Sequence, residues 1–374
     1  MKAFFAASIG VALLSMVALP NAASAQGAIT AQGSITAQGS MAAAQAHIDK
    51  AKAAVYRPGF EFSQLYETVC KPAISEKGPA EELALTVAEP LDVRRIPPRS
   101  DWYSEPAKVF DNLLWLGSYG NNRRVPEISG NSTWAVTTSD GIILIDTGMD
   151  YTVKPLIVDG LKKLGYDASQ IKYIILSHAH NDRFYGARYL QDTYHPHVIM
   201  SEVDWGILAE NNDPAELKPV KDMIATDGMK LTLGDTTLTL YLTPGHTPGT
   251  ISTIIPLKDG NEKHVGVVWG GINASWERYG VVYYHTFEDS LKAWSDSIAR
   301  FQKIAAEAGA DTYLTIHPHY DDALDKIHEV QYRKPGQPNA MVSKDALNRW
   351  FTVLKECTDA QLARLTPASG ASGQ

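Results

Sequence analysis

Residues 174 to 186 read Ile-Ile-Leu-Ser-His-Ala-His-Asn-Asp-Arg-Phe-Tyr-Gly and place metal-binding side chains directly after an apolar run. His178, His180 and Asp182 stand at alternate positions. A strand that opens into a turn can therefore direct all three side chains into one cleft. Two imidazoles and one carboxylate suit zinc. The stretch predicts a metal site at the end of a strand.

Two later segments each place one more histidine after a strand-like run. Residues 243–249 read Thr-Pro-Gly-His-Thr-Pro-Gly and contain His246. Residues 313–318 read Tyr-Leu-Thr-Ile-His-Pro and contain His317. Three separate strand ends thus offer ligands, which makes a surface or core histidine pair a weaker explanation of the first stretch.

With these segments the sequence resembles the metallo-β-lactamase superfamily. The family signature His-x-His-x-Asp-His corresponds here to His178, His180, Asp182 and Arg183, so one expected histidine is replaced by arginine. The resemblance extends from about residue 109 to about residue 324. It implies an α/β fold of the αββα sandwich type, which we assign to residues 107–330.

The resemblance is closest to the subclass B3 metallo-β-lactamases. It is carried by the segments 141–148, 161–180 and 243–249. In addition, residues 267–274 contain neither the cysteine nor the aspartate that provides a metal ligand in other branches.

The resemblance assigns His178, His180 and His246 to a first zinc. Three neutral imidazoles leave a fourth tetrahedral position open for water, which is the arrangement of a catalytic site. Zinc lowers the pKa of water to about 7, so a metal-bound hydroxide can attack the amide bond of a β-lactam. Asp182 is expected to orient the hydroxide and to carry its proton to the leaving nitrogen.

Asp182 and His317 belong to a second zinc in the resembling family, and Arg183 stands where the third ligand is expected. A guanidinium at ~4 Å from a divalent ion is repelled by roughly 2 to 8 kcal/mol, depending on screening. We therefore expect one firmly bound zinc and a weak or empty second site. The alternative is that Arg183 forms a surface ion pair with no part in catalysis.

Asn273 and Ser275 follow a strand at the point where the resembling family places polar side chains that hold the substrate carboxylate. The local sequence Gly-Gly-Ile-Asn-Ala-Ser, residues 270–275, departs from the serine-rich family pattern. The two residues are thus candidates for substrate binding, with simple loop residues as the alternative.

The composition fits a hydrolase of small molecules. The chain has 374 residues, 44% of them hydrophobic, which is enough for a sizeable core. Its formal charge of −8 is spread along the chain and argues against nucleic acid or an anionic membrane as a partner. We expect a monomer that acts on a β-lactam.

The residues on either side of the predicted domain point to export. Residues 1–25 have a lysine near the start, an apolar centre and an Ala-Ser-Ala cleavage site, as in a secretory signal peptide. We expect a periplasmic or secreted protein without a membrane anchor. Residues 26–59 contain a repeated Ile-Thr-Ala-Gln-Gly-Ser and predict a flexible tether. Residues 60–106 form an N-terminal extension, and residues 331–374 a C-terminal helical one.

The chain has two cysteines, Cys70 and Cys357, one on each side of the predicted domain. Export makes a disulfide between them plausible, whereas two buried thiols are the alternative.

Three functions remain open at this stage. The first is a zinc β-lactamase that confers antibiotic resistance. The second is a hydrolase of lactones, thioesters or phosphoesters on the same scaffold, because a fold does not fix its substrate. The third is a degenerate zinc-binding protein without catalysis, in which Arg183 has silenced the second site.

Overall fold

Two β-sheets pack face to face across the larger hydrophobic core, and helices cover their outer faces. The computed structural model describes residues 41–55, 62–70, 96–120, 130–278 and 280–365. The first sheet has seven strands in chain order: β1 (Ala107–Phe110), β2 (Leu113–Trp115), β3 (Trp134–Thr138), β4 (Gly141–Ile145), β5 (Ile171–Ile175), β6 (His197–Ser201) and β7 (Met223–Ala225).

The second sheet has five strands in the order β14-β11-β10-β9-β8. A separate hairpin, β12 with β13, follows β11 in the chain. The bounds of these strands are β8 (Met229–Leu233), β9 (Thr236–Leu242), β10 (Ile251–Asp259), β11 (Glu262–Val268), β12 (Glu277–Arg278), β13 (Val281–Val282) and β14 (Thr312–Leu314).

Strand β4 shows why the layers form. Ile143 and Ile145 pack in the core between the sheets, while Ile142 and Leu144 pack against the outer helices. Side chains alternate along a strand, so an unbroken apolar run is buried on both faces. Strands β4 to β7 are parallel, and their carboxyl ends lie at one edge of the sheet. The predicted α/β sandwich is confirmed.

The longest internal helix buries Leu291, Trp294, Ile298 and Phe301 on one face, as is typical of an amphipathic helix that covers a sheet. One helix contains a central π segment, Val153–Val158, between Asp150–Thr152 and Asp159–Lys163. In chain order the helices are α1 (41–55), α2 (Ser63–Val69), α3 (150–163), α4 (Asn181–Phe184), α5 (Ala187–Tyr194), α6 (Glu202–Glu210), α7 (Phe287–Glu307), α8 (Ala323–Gln331) and α9 (Lys344–Leu365).

The predicted tether over residues 26–59 is wrong for residues 41–55, which form helix α1. Ala44, Ile48 and Ala51 are buried on one face of this helix. His47 Nδ1 lies 2.5 Å from a carboxylate oxygen of Glu356, so α1 packs on α9. Small alanine side chains allow this close contact, although the sequence offers few large residues. The predicted signal peptide and residues 26–40 lie outside the described residues.

The N-terminal extension is joined to the C-terminal helix by a disulfide between Cys70 and Cys357, with 4.6 Å between the Cα atoms. The predicted pairing is confirmed, and the cysteines are not free thiols. Nearby, the rings of Phe62 and Trp350 pack edge to face with 5.7 Å between their centroids. No helix within the described ranges is long and apolar enough to cross a lipid bilayer.

Removal of the disulfide should destabilise the fold without changing the metal site. The double variant Cys70→Ser, Cys357→Ser is expected to lose about 4 kcal/mol of unfolding free energy, because the closed loop restricts the unfolded chain. Urea unfolding followed by circular dichroism measures this loss. Wild-type protein with a reductant is the control and should behave like the variant; identical unfolding midpoints for oxidised and double-variant protein would contradict the prediction.

Candidate metal centre

Three histidines from two loops meet at the carboxyl end of the first sheet. His178 and His180 follow β5, and His246 lies in the loop between β9 and β10. His246 Nε2 lies 3.2 Å from His178 Nε2 and 3.0 Å from His180 Nδ1. The three rings are nearly perpendicular to one another, with 4.4 to 4.6 Å between centroids. The predicted trio is thus brought together in one buried cluster.

The outer nitrogen of each ring is held by a separate group. His178 Nδ1 donates to the carbonyl of Gly270 at 2.7 Å, and His246 Nδ1 donates to the carbonyl of Asn273 at 2.8 Å. His180 Nε2 lies 3.3 Å from the hydroxyl of Tyr283. Because a carbonyl only accepts hydrogen bonds, the proton of each of the first two rings lies on its outer nitrogen. The inner nitrogens then carry lone pairs.

The histidines are neutral. Burial, His246 and the charge of Arg183 hold the pKa of His178 well below its usual range. Burial is also the largest cause for the other two rings; the pKa of His180 falls well below its usual range, and that of His246 falls to about 4. Neutral imidazole is the form that binds a metal.

The donor set fits a zinc ion. The inner nitrogens of His178 and His246 both carry lone pairs and lie 3.2 Å apart, so they repel each other unless a cation lies between them. Zn–N bonds of about 2.0 to 2.1 Å in a tetrahedron separate neighbouring nitrogens by about 3.3 Å, which is close to the observed distances. No other trio of histidine, cysteine or acidic ligand atoms converges in this way in the part of the chain that the structure describes.

Asp146 supports the first loop from the end of β4. Its carboxylate accepts from the Ser177 amide at 2.8 Å and from the Ser177 hydroxyl at 3.0 Å. Its backbone is left-handed, with φ of 60°. Burial raises the pKa of Asp146 to about 6, although Arg183 lies beside it. These contacts fix the residue that precedes His178.

Arg183 is fully buried, so the alternative of a surface ion pair is wrong. Its guanidinium is bonded to Asp182 and lies 3.3 Å from the carboxylate of Asp146. It also donates to the Asn131 side chain at 2.6 Å and to the Ile316 carbonyl at 3.1 Å. The arginine therefore ties the ends of several strands together beneath the histidine cluster.

The two residues predicted for a second metal are both engaged by this guanidinium. His317 Nδ1 donates to the Gly130 carbonyl at 2.9 Å, which leaves His317 Nε2 to accept from Arg183 Nη2 at 3.0 Å. Burial tends to raise the pKa of Asp182, but the Arg183 charge outweighs it and holds that pKa well below its usual range. Asp182 is thus ionised, and the cation beside it is Arg183.

Asn273 and Ser275 both order the loop that follows β11. The Asn273 carbonyl holds His246, and the residue has a left-handed φ of 68°. The Ser275 amide donates to the Gly245 carbonyl at 3.0 Å, and the Ser275 hydroxyl donates to the Glu277 carbonyl at 3.3 Å. Their observed contacts position the metal loop, and their predicted role in substrate binding stays a prediction.

Asp204 is a structural residue of the site that sequence reasoning did not assign to it. It is fully buried at the start of α6, where its amide donates to the Ser201 hydroxyl that caps the helix. Its carboxylate accepts from the Ala179 amide at 2.9 Å, the Thr247 hydroxyl at 2.7 Å and the Gly249 amide at 2.9 Å. One carboxylate therefore joins the loop of His178 and His180 to the loop of His246.

A glycine is required for this contact. A Cβ atom on Gly249 would lie 2.4 Å from the Asp204 carboxylate, which is too close. The second glycine of Thr-Pro-Gly-His-Thr-Pro-Gly was therefore a signal for a buried partner. The donors around Asp204 are neutral, and burial raises its pKa to about 6.

Part of the chain that carries this site is similar to known proteins. Residues 126–260 match the sequence model of the metallo-beta-lactamase superfamily. The solved structure of BJP-1, a subclass B3 metallo-beta-lactamase of Bradyrhizobium japonicum, is 29% identical with a TM-score of 0.57, over 70% of this chain and 94% of that chain. A metallo-beta-lactamase of Cronobacter sakazakii is 26% identical with a TM-score of 0.56, over 74% and 96% of the two chains.

The Cronobacter enzyme is characterised by a HARLDQ motif, whereas residues 178–183 of this chain read HAHNDR. A curated relative, the N-acyl homoserine lactonase AttM of Agrobacterium fabrum, is 33% identical over 110 residues. That match covers 27% of this chain, and this chain spans 41% of the length of that relative.

Loss of the Asp204 charge should weaken metal binding. In Asp204→Asn an amide group replaces one acceptor oxygen and faces backbone donors, so the two loops separate slightly. Outer contacts of this kind typically contribute about 10- to 100-fold to metal affinity. Competition with a chromophoric chelator measures the zinc dissociation constant. The control is Asp222→Asn, which removes the surface partner of His197; equal affinity in both variants would show that Asp204 does not hold the loops.

Proposed function

We propose that this chain hydrolyses the amide bond of β-lactams with zinc, because residues 126–260 match the model of the metallo-beta-lactamase superfamily and the fold is similar to that of a subclass B3 metallo-beta-lactamase. The observation that carries the proposal is the cluster of His178, His180 and His246, whose inner nitrogens share one centre. The metallo-beta-lactamases among the similar structures, one of them of subclass B3, support a β-lactam as the substrate. Hydrolysis adds a hydroxyl to the carbonyl carbon and a proton to the lactam nitrogen.

The metal is held by the three histidines, and we propose one zinc per chain. When bound, zinc supplies Lewis acidity and activates a water molecule as a nucleophile near neutral pH. The protein contributes fixed ligand directions, because Gly270 and Asn273 hold two of the rings through their backbone carbonyls. The rings of His178 and His246 are thus already oriented for metal binding.

Asp182 is the catalytic carboxylate in this proposal. It is ionised and lies close enough to the histidine cluster to affect the pKa of His178 and His246. A carboxylate in this place accepts a hydrogen bond from water and orients it toward the substrate. The ion pair with Arg183 lowers the basicity of Asp182, which favours this orienting role over the predicted transfer of a proton.

Arg183 takes the place of a second metal. Its guanidinium binds Asp182 and His317, the two residues predicted for that metal, and also neutralises part of the charge of Asp146. A buried arginine remains charged, and here the two carboxylates raise its pKa further against the effect of burial. A fixed cation therefore replaces an exchangeable one.

The proposed setting is the periplasm or the exterior of the cell. Residues 1–25 have the pattern of a signal peptide, and the Cys70–Cys357 disulfide fits an oxidising compartment. A β-lactamase in that setting meets antibiotics before they reach their targets, so resistance is the biological role we propose.

Lactone hydrolysis is the second candidate. It is favoured by the similarity to AttM, an N-acyl homoserine lactonase. The same residues can serve either reaction, since both attack a carbonyl next to a ring heteroatom. The charge of the two substrate classes differs, because β-lactam antibiotics carry a carboxylate and acyl homoserine lactones are neutral.

Turnover of a small substrate panel tests the proposal. We expect EDTA-sensitive hydrolysis of a chromogenic cephalosporin that His246→Ala reduces by at least about 100-fold, since one ligand of the metal is lost. The control is His328→Ala, which changes an exposed histidine of α8 and should act like the wild type. Hydrolysis of an acyl homoserine lactone but of no β-lactam would replace the first candidate by the second.

Metal counting tests the role of Arg183. Wild-type protein dialysed against zinc-containing buffer should retain one zinc per chain, whereas Arg183→His restores the family ligand and should retain two. Plasma emission spectroscopy gives the ratio of zinc to protein. The control Arg188→His removes a surface ion pair with Asp192 and should stay at one. Two zincs in the wild type would show that Arg183 does not exclude the second ion.

A further inference from the structure

Strand β7 lies at one end of the seven-stranded sheet and, within the described residues, pairs only with β6. Exposed apolar side chains surround it: Ile224 in the middle of β7 is 44% exposed, Val220 is 56% exposed and Val203 at the start of α6 is 50% exposed. Lys221, next to Val220, lies 2.5 Å from Glu202, next to Val203, so the three belong to one surface. Apolar surface of this kind is typical of a contact with another protein chain.

The outer side of β7 presents unpaired backbone groups, and the neighbouring strand shows which ones. The Ile199 carbonyl of β6 accepts from the Leu176 amide at the end of β5 at 2.9 Å, so Ile199 bonds toward β5. Successive residues of a strand bond to opposite sides, and Met200 therefore bonds toward β7, where its partner is Ile224. In a parallel pair such a residue bonds to the two neighbours of its partner. The amide and carbonyl of Ile224 thus face away from the sheet.

The other edges of the two large sheets are covered or polar in the part of the chain that the structure describes. At β1, the side-chain amides of Gln331 and Asn339 donate to backbone carbonyls at 2.8 and 2.9 Å. Strand β14 is covered by a bridge to Val342. Strand β8 exposes Lys230 and Thr232. A polar or covered edge resists pairing with another chain, whereas β7 combines an open edge with an exposed isoleucine.

The sequence around Ile224 is complementary to itself in an antiparallel pair. A two-fold axis at Ile224 places this residue opposite its own copy, Lys221 opposite Asp227, and Asp222 opposite Thr226. The Lys221 and Asp227 side chains are 47% and 45% exposed, so both can reach a second chain. Opposite charges face each other in this register, and like charges do not. The outward amide and carbonyl of each Ile224 also meet the carbonyl and amide of the other.

We propose that β7 is an interface between two copies of this chain, in which two seven-stranded sheets join edge to edge across a two-fold axis. The same patch serves both copies, as in other two-fold dimers. The sequence predicted a monomer, but an open edge with a self-complementary register favours a dimer. Because β7 has three residues, the contact is small and the dimer is reversible. No residue of the metal centre takes part, so the inference does not depend on the proposed hydrolysis.

Sedimentation velocity of the purified protein over a range of concentrations tests this interface. The wild type should shift from monomer to dimer as the concentration rises. Ile224→Lys should raise the dissociation constant about tenfold, because the two copies place like charges opposite each other. The control is Tyr332→Lys, which changes a residue that is 74% exposed just after α8 and should leave the dimer intact. A wild type that is monomeric at every concentration, or equal association of Ile224→Lys and wild type, would overturn the proposal.

Chemical cross-linking tests the register. Both cysteines of the chain form the disulfide, so Ile224→Cys adds one free thiol. A short bis-maleimide should join two copies at this position, since residues paired across two strands lie about 5 Å apart. Val220→Cys, on the same exposed segment, is the control; in the proposed register it lies roughly 25 Å from its copy and should not be joined. Failure to cross-link at position 224, or equal cross-linking at position 220, would overturn the interface.

Discussion

A buried carboxylate holds two loops from different sheets at the spacing that a metal requires. Asp204 accepts hydrogen bonds from Ala179 on one side and from Thr247 and Gly249 on the other. It holds together the loops whose histidine nitrogens lie 3.0 to 3.2 Å apart. Its pKa is raised because no cation offsets the burial, so the fold tolerates an unfavourable charge to keep the loops in place. The three contacts of Asp204 therefore fix the two ligand loops relative to each other.

The acidic residues below the histidines are neutralised by a buried arginine. The fold provides Asp146, Asp182 and His317 at the point where strands of both sheets end, and such a cluster needs a cation. Arg183 supplies one that is covalently part of the chain. Removal of one partner from such a buried network costs far more than removal of a surface pair. The arginine is therefore a permanent cation of the structure.

Much of the fold could be predicted from the sequence because its patterns are local. The apolar run at Ile174 correctly predicted the strand that ends at the first two histidines. The histidine trio followed from spacing and family resemblance.

Burial of Arg183 could not be predicted, since an arginine next to an aspartate forms exposed and buried pairs alike. The role of Asp204 could not be predicted, because its hydrogen-bond partners at residues 179, 247 and 249 are distant in the sequence. Helix α1 was missed because alanine-rich repeats resemble a linker, and its partner α9 lies about 300 residues away.

The Cys70–Cys357 bridge encloses almost the whole sandwich. A protease that cuts one exposed loop anywhere within this ring produces two pieces that stay covalently attached. The pieces also keep their shared core, since strands from both halves of the ring pack against each other. A single cut therefore changes the connectivity of the chain without releasing a fragment. The cleaved protein stays in one covalent piece.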